Sequence, residues 1–344
     1  MNYHKTVLAP LEKCYAVSAF PLGGRQRFLF ASEVEAPCLC FDAESLSCET
    51  VWQGAGGTMA MVPLHGSATD FLAIQNFFPP FAAAASKLVW ISRRQDGTYE
   101  VQDYLALPYL HRFGVVEGEE GAFLVLSTLC ESKENKDDWS KPGGVYIAPL
   151  TASAEETPRP RRLLTGLFHN HGFFTGVVDG TAAVAVGSDQ GVHLIQPPEK
   201  PGEDWRVCQL TDVPTGEVWL EDLDGDGALE LITIEAFHGS ALKVYHIDGA
   251  GTYRPVWQLP EALEFAHALW CGRLWGEVCG VCGSRRGEAP LLRFFYEDGA
   301  YRTERIDTGA SAANVWAAWR GGRQCLLSAN HGQNACVLYT ADSP

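Results

Sequence analysis

Histidines and carboxylates that could hold a metal ion or move protons are spread through this chain of 344 residues. The densest motif is His169-Asn170-His171, which places two imidazoles on the same side of an extended strand, because strand side chains alternate with a period of two. Neutral imidazole and carboxylate suit zinc, manganese or iron, and imidazole titrates near physiological pH. No local signature such as HExxH accompanies the motif, so a site must be assembled from distant segments.

A second motif, DLDGDGALEL, groups four carboxylates within one loop. Asp222, Asp224, Asp226 and Glu230 occupy its first, third, fifth and ninth positions, with glycines between them that permit a sharp turn. Calcium takes six to eight oxygens from closely spaced carboxylates and carbonyls, so a structural Ca²⁺ site is one interpretation. A turn whose aspartates cap backbone amides is the other, and the sequence leaves both open. Either way the loop is a structural feature.

The elements that must position these residues recur with a regular period. Trp205, Tyr253 and Tyr301 stand in similar short alternating segments at intervals of 48 residues, and Tyr99 opens another such segment. Seven repeat units begin near residues 14, 58, 111, 171, 217, 267 and 314. Each unit has room for four strands, which is the blade of a propeller. Two successive β-sandwiches are the main alternative, but they would not need a common period.

The two ends of the chain favour a closed ring. The last unit stops after three strands, whereas the opening segment YHKTVLAPL resembles the fourth-strand segment YRTERIDTG. We expect residues from about 3 to 11 to form the outer strand of the last blade, so that no sheet edge stays open. The prediction is an all-β protein, one seven-bladed β-propeller domain over residues 1–344 with four-stranded blades.

This fold sorts the polar residues by face. The starts of the innermost strands, and the loops between second and third strands, surround the central channel on one face, whereas the Asp222 turn lies on the other. Six of the ten histidines sort to the first face: His111, His169, His171, His238, His267 and His331. An insertion, residues 131–144, lengthens a loop over the same face and could be either a lid or a plain solvated loop.

The turn motif, the HNHG start and the ring of histidines together resemble a known family. The aspartate- and glycine-rich turn is similar to FG-GAP or VCBS propeller repeats, and the whole pattern resembles the propeller of the aldos-2-ulose (1,5-anhydro-D-fructose) dehydratase family. In that family a metal-bearing propeller removes water from a keto-sugar, and further cupin domains carry an isomerisation. This chain stops after the propeller, so we expect no isomerase step.

The resemblance implies a β-elimination on a small keto-sugar in the central cavity. A divalent ion, Zn²⁺ or Mg²⁺/Mn²⁺, would polarise the carbonyl, while a base takes the neighbouring proton and an acid assists the departing hydroxyl. The expected metal ligands are His171, Glu217 and His267. The candidates for base and acid, unranked, are His111, His169, Glu235 and His331. The candidates for substrate binding are Asn76, Asn170, His238, Arg285, Asn314 and Asn330.

Composition restricts the partners. A formal net charge of −16 disfavours nucleic acid and anionic membranes. The absence of a signal-like start or a long apolar run leads us to expect a cytoplasmic protein, in which the eleven scattered cysteines are free thiols. A non-catalytic carbohydrate- or protein-binding propeller remains the alternative function, although it would not need so many histidines. A lyase acting on polyuronic acid fits an acidic chain poorly. The sequence does not indicate an oligomeric state.

Overall fold

The fold is a ring of seven separate four-stranded antiparallel sheets. It is described by a computed structural model that covers residues 1–200 and 202–342. Short apolar runs broken by polar and glycine turns favour strands of this kind over helices. Two short 3-10 helices, Pro80–Ala85 and His331–Gln333, are the only helices among these residues. No helix in the described ranges is long and apolar enough to span a bilayer.

Strand β1 (Tyr3–Pro10) opens the chain, and the blades follow from innermost to outer strand. Blades one to three are β2 (Cys14–Leu22), β3 (Arg25–Ser32), β4 (Cys38–Asp42), β5 (Cys48–Trp52); β6 (Met61–Pro63), β7 (Asp70–Gln75), β8 (Lys87–Arg93), β9 (Tyr99–Ala106); and β10 (Leu110–Gly118), β11 (Gly121–Cys130), β12 (Pro142–Pro149), β13 (Arg161–Leu167).

Blades four to six continue the pattern, and the seventh contributes three further strands. These are β14 (Gly172–Val178), β15 (Thr181–Ser188), β16 (Gly191–Gln196), β17 (Arg206–Thr211); β18 (Glu217–Glu221), β19 (Glu230–Glu235), β20 (Ala241–Ile247), β21 (Tyr253–Gln258); β22 (Ala266–Leu274), β23 (Glu277–Ser284), β24 (Leu291–Glu297), β25 (Ala300–Asp307); and β26 (Ala312–Arg320), β27 (Arg323–Asn330), β28 (Ala335–Ala341).

The N-terminal strand closes the ring, which confirms the expected closure. β1 pairs with β28 antiparallel and becomes the outer strand of the seventh blade. Its side chains also reach the sixth blade: the Tyr3 hydroxyl donates to Oε2 of Glu304 at 2.6 Å, and Nζ of Lys5 donates to Oδ2 of Asp307 at 2.7 Å. Both ends of the chain are thereby held in one sheet.

The seven-bladed prediction is confirmed, and the innermost strands begin within three residues of the expected positions. Between neighbouring sheets lie apolar clusters of Leu, Val, Ile and Phe side chains that form the core. All eleven cysteines are free, and only Cys48 and Cys208 are exposed. Burial raises the pKa of Cys282 to about 12, so this thiol stays protonated and behaves as a small apolar side chain.

Candidate functional site

A repeated β-bulge aims side chains into the channel at the starts of the innermost strands. The pairing register shifts where β2, β10, β22 and β26 begin, so that one residue of each lies outside the ladder. An extra residue in one strand re-aims its side chain. The residues concerned are Tyr15, His111, His267 and Ala313. The same bulge thus recurs at the starts of four innermost strands.

Three histidines converge in the channel: His171, His238 and His267. One ring nitrogen from each lies within 4.8 Å of the other two, a group that could hold one metal ion. The ring centroids are 5.0, 5.1 and 5.2 Å apart. Because zinc–nitrogen bonds are about 2.0–2.1 Å long, a bound ion would draw the rings in only slightly. We call these three residues the histidine trio.

Hydrogen bonds prepare two members of the trio as ligands. Nδ1 of His267 donates to the carbonyl oxygen of Ala313 at 2.6 Å, and Nδ1 of His171 donates to that of Gly216 at 3.1 Å. Each Nε2 therefore keeps its lone pair; that of His267 accepts the Tyr15 hydroxyl at 3.2 Å. Metal-binding histidines commonly donate their second nitrogen to a carbonyl or carboxylate, so this donor set fits a divalent ion.

Burial keeps His238 and His267 neutral. It holds the pKa of both His238 and His267 well below the usual range, and the neighbouring His171 and Arg285 lower the pKa further. Neutral imidazoles offer lone pairs that protonated ones lack. His171 and His267 are buried, whereas His238 is partly exposed, so a ligand reaches the trio from the side of His238.

Glu217, an expected ligand, lies behind His171 and outside the group of converging nitrogens. Its Oε1 is 2.9 Å from Nδ1 of His171 and 3.5 Å from Nη2 of Arg112. Nη1 of Arg112 donates to the carbonyl oxygen of Met59 at 2.7 Å. His238, expected to bind substrate, stands in the position that Glu217 was expected to take. The carboxylate is placed to orient His171 and balance the charge of Arg112.

Of the candidate acids and bases, His111 and His169 lie beside the trio. The His111 ring is 4.5 Å from that of His171, and its buried Nδ1 has no hydrogen-bond partner. Burial lowers its pKa well below the usual range. His169 lies at the rim, where Nδ1 donates to Oδ2 of Asp189 at 2.7 Å. That bond leaves Nε2 of His169 with a free lone pair.

Aromatic rings enclose the rim. Phe237 stacks on His169 at 4.7 Å and on His238 at 3.8 Å. The ring centroid of Trp139, from the insertion, lies 4.2 Å from that of His169. Nζ of Lys133 lies 3.0 Å from the centroid of the Trp139 ring. The insertion therefore packs against this face, and one of its side chains touches a candidate catalytic residue.

His331, the third candidate, belongs to a separate cluster on the rim. Nε2 donates to Oε2 of Glu33 at 2.7 Å, and Nδ1 accepts from Nη2 of Arg285 at 2.9 Å. Burial lowers the pKa of His331, although the bond to Glu33 opposes the shift. Burial also raises the pKa of Glu33, but His331 and Arg285 outweigh that effect and lower it. The cluster links blades one, six and seven.

Several other expected site residues make hydrogen bonds within a blade or between blades. Glu235 accepts hydrogen bonds from Tyr245 and Thr233 and pairs with Lys243, all within its own blade. Asn330 bonds within its blade, whereas Asn170 and Asn314 bond to neighbouring blades. Nδ2 of Asn170 donates to Oγ of Ser127 at 2.7 Å, and Nδ2 of Asn330 donates to the Tyr339 hydroxyl at 3.3 Å. Nδ2 of Asn314 donates to the Tyr15 carbonyl at 2.8 Å. Asn76 lines a separate cavity of 380 Å³.

The acidic loop forms the turn between β18 and β19, at the opposite end of β18 from Glu217. Both carboxylate oxygens of Asp222 accept hydrogen bonds from backbone N–H groups, one from Gly225 at 2.8 Å and one from Gly227 at 3.1 Å. Oxygens of Asp222, Asp224 and Asp226 also lie close enough together to share a cation. Burial raises the pKa of Glu230 to about 7. The aspartates thus cap the turn as the second interpretation expects, and calcium stays a prediction.

Sequence reasoning missed Tyr15, Arg112 and Asp189. Arg112 follows His111 directly, and Tyr15 occupies in β2 the same bulge position that His111 occupies in β10. Alignment of the repeats could have found both. Asp189 lies twenty positions after His169, in the turn after β15, and no local pattern joins them.

Comparisons with known proteins identify the architecture. No protein-family model matches the chain, and no curated protein matches it. Among solved structures, it is similar to BBS1N in complex with ARL6DN (TM-score 0.60, 12% identity, 98% of this chain and 95% of that one). It is also similar to a candidate 6-phosphogluconolactonase from Bacteroides uniformis (0.57, 11%, 85% and 83%) and to the aldose sugar dehydrogenase of Escherichia coli (0.50, 13%, 99% and 100%). At such identities the likeness shows the propeller fold alone.

Proposed function

We propose that the protein is a metal-dependent carbon–oxygen lyase that removes water from a keto-sugar such as 1,5-anhydrofructose. The observation that carries the proposal is the histidine trio, whose ring nitrogens converge and whose Nδ1 protons in His171 and His267 are held by backbone carbonyls. Two distant fold neighbours carry sugar-acting names, a lactonase and a dehydrogenase, which supports a sugar substrate. The family resemblance of the repeats supports dehydration.

The trio would hold the ion, and its partly exposed member His238 marks the side from which substrate approaches. A divalent ion there would supply Lewis acidity to the sugar carbonyl and its neighbouring hydroxyl. Phe237 and Phe265, which stack on His238 at 3.8 and 4.1 Å, exclude water on two sides of it. Flat apolar rings of this kind also suit the faces of a sugar.

His169 is the best-placed general base. Its bond to Asp189 fixes the proton on Nδ1 and stabilises the positive charge that forms when Nε2 accepts a proton from the carbon beside the carbonyl. Tyr15 is the best-placed donor to the departing hydroxyl, because its own hydroxyl reaches Nε2 of His267. Burial raises the pKa of Tyr15 to about 12, so the phenol stays protonated at neutral pH.

The test combines metal analysis with an activity assay. Purified protein should contain one transition-metal ion in its cavity and convert 1,5-anhydrofructose to an enone, followed by absorbance. His238→Ala should lose both properties. His65→Ala is the matched control, since that side chain is 84% exposed and lies in the turn between β6 and β7, so metal content and turnover should not change. A fully active His238→Ala protein without metal would refute the proposal. Metal binding without turnover on any keto-sugar would favour the binding propeller.

A further inference from the structure

A second cavity lies in the channel and is separate from the histidine trio. It has a volume of about 220 Å³ and is lined by residues of all seven innermost strands. Arg112 and Glu217 line it near the starts of β10 and β18, and the remaining lining residues lie on the innermost strands of all seven blades or just before β6. No member of the trio is among the described residues that line it.

The polar end of this cavity is a buried ion pair. Arg112 and Glu217 are 9% and 10% exposed, with Nη2 and Oε1 3.5 Å apart. Oε1 is enclosed, 2.9 Å from Nδ1 of His171, and accepts no hydrogen bond from the described residues, because the proton on Nδ1 is directed at Gly216. A buried carboxylate short of hydrogen bonds is costly. A ligand that donates to the carboxylate where Glu217 lines the cavity would offset part of that cost.

The charge of the pair restricts the ligand's head group. Arg112 and Glu217 neutralise each other, so a further charged group beside them would be buried without a partner, which is strongly unfavourable. A hydroxyl satisfies both residues, because it can donate to the Glu217 carboxylate and accept from the Arg112 guanidinium. A group with a donor and no acceptor, or the reverse, satisfies only one of them.

Most of the remaining lining is apolar or aromatic. The other polar residues among the described ones that line the cavity are Ser18, Thr175 and Asn314. Its walls include Met61, Val115, Phe173, Trp219 and Trp316. Trp316 is 37% exposed, so the cavity opens to solvent at that side chain. A cavity of about 150 Å³ lined by apolar side chains is large enough for benzene, and the volume found here leaves room for one ring with a short substituent.

We propose that this cavity binds a neutral single-ring aromatic alcohol, with its hydroxyl between Arg112 and Glu217 and its ring between Trp219 and Trp316. The site is distinct from the metal centre in position and in chemistry. It neither requires nor excludes the proposed lyase activity, because no member of the trio is among the described residues of its lining.

Calorimetric titration with four para-substituted toluenes, which differ only in the group opposite the methyl, tests the head group. The probes are p-cresol, 4-methylanisole, p-toluate and 4-methylbenzylammonium. p-Cresol should bind at least tenfold more tightly than the other three, since only its hydroxyl both donates and accepts without adding charge. Equal binding of p-cresol and 4-methylanisole, tighter binding of either ion, or no binding of p-cresol would overturn the proposal.

Variants test the position. Trp316→Ala should weaken p-cresol binding, whereas Trp319→Ala, on the same strand but 58% exposed and outside the lining, should not. Glu217→Gln leaves Arg112 uncompensated, so the preference should change from p-cresol to p-toluate. Chelator-treated protein should bind p-cresol unchanged, which separates failure of this site from failure of the metal centre. Equal effects of the two tryptophan variants, or an unchanged preference in Glu217→Gln, would refute the site.

Discussion

The identity of the third ligand beside His171 and His267 is decided by comparing His238→Ala with Glu217→Gln. His238 offers a neutral nitrogen within the converging group, whereas the Glu217 carboxylate faces the opposite, Nδ1 side of His171. We therefore expect His238→Ala to remove a bond to the ion and Glu217→Gln to remove only its support. The first variant should fail to retain metal, and the second should retain it with reduced affinity.

The contacts of His171 indicate how far Glu217→Gln should lower metal affinity. Loss of an outer-layer partner lowers metal affinity by about 10- to 100-fold, which is about 1.4–2.7 kcal/mol. The Gly216 carbonyl still accepts from Nδ1 of His171 at 3.1 Å, so we expect the lower end, near tenfold. Glu217→Gln also leaves the buried Arg112 without its carboxylate, and the metal-free protein should lose at most about 3–5 kcal/mol of stability.

Competition with a chelator of known affinity, at fixed pH and ionic strength, measures these changes. Metal stoichiometry after gel filtration separates a lost ligand from a weakened one, and urea unfolding of the metal-free proteins measures the stability term. The reasoning is refuted if Glu217→Gln loses the ion altogether while His238→Ala keeps it. That result would make the carboxylate the third ligand, as the sequence pattern predicts.

Three further changes probe the frame of the site. Asp307→Asn should cost about 1.5–3 kcal/mol at pH 7, because Lys5 and Tyr339 donate to this carboxylate. Burial raises the pKa of Asp307, but these bonds outweigh that effect and lower it. The carboxylate therefore stabilises the fold above its unfolded pKa. The difference in unfolding free energy between parent and variant, measured in urea, should shrink as pH falls. Asp222→Ala should lower the melting temperature through the loss of about 1 kcal/mol of turn capping and leave transition-metal content and turnover unchanged. Asn170→Ala should destabilise by about 1–3 kcal/mol, and an unaltered melting temperature would contradict its role in joining blades three and four.

The propeller was predictable because its signal is local and repeated. Each blade combines four short apolar runs with polar or glycine turns, and the same arrangement recurs seven times, so errors in single boundaries do not disturb the count. Ring closure was also readable, since YHKTVLAPL could be compared directly with the fourth-strand segments. The innermost strands begin at most three residues from the expected positions, and the largest difference is at β6, which begins at Met61 rather than near residue 58.

The sequence predicted the face of the propeller on which the site residues lie, but not which of them contact one another. Alignment placed His238, Glu235 and Asn330 at the same end of the propeller, where all three are found. Their neighbours decide what each does, and those neighbours are distant or cross-strand. Glu235 accepts a hydrogen bond from Tyr245 and forms an ion pair with Lys243, so its charge is balanced within its own blade. His238 has no such partner and points to the other histidines. The two-residue period of a strand predicts the face on which a side chain lies. A metal site also depends on the direction in which each ring nitrogen points, which the period does not give.

One glycine shows how closely the members of the trio depend on one another. The carbonyl of Gly216 accepts from Nδ1 of His171, so it sets the direction of that ring. A Cβ at Gly216 would lie 2.4 Å from the carbonyl oxygen of Ala236 and 2.9 Å from Cα of Phe237, so only glycine lets the loop that carries His238 approach this closely. The residue before β18 therefore positions two of the three nitrogens, one through its oxygen and one through its missing side chain. Gly216 thus contacts both His171, at the start of blade four, and the loop of blade five that carries His238. The geometry of the trio therefore depends on how blades four and five pack together, and the sequence of one blade alone does not predict it.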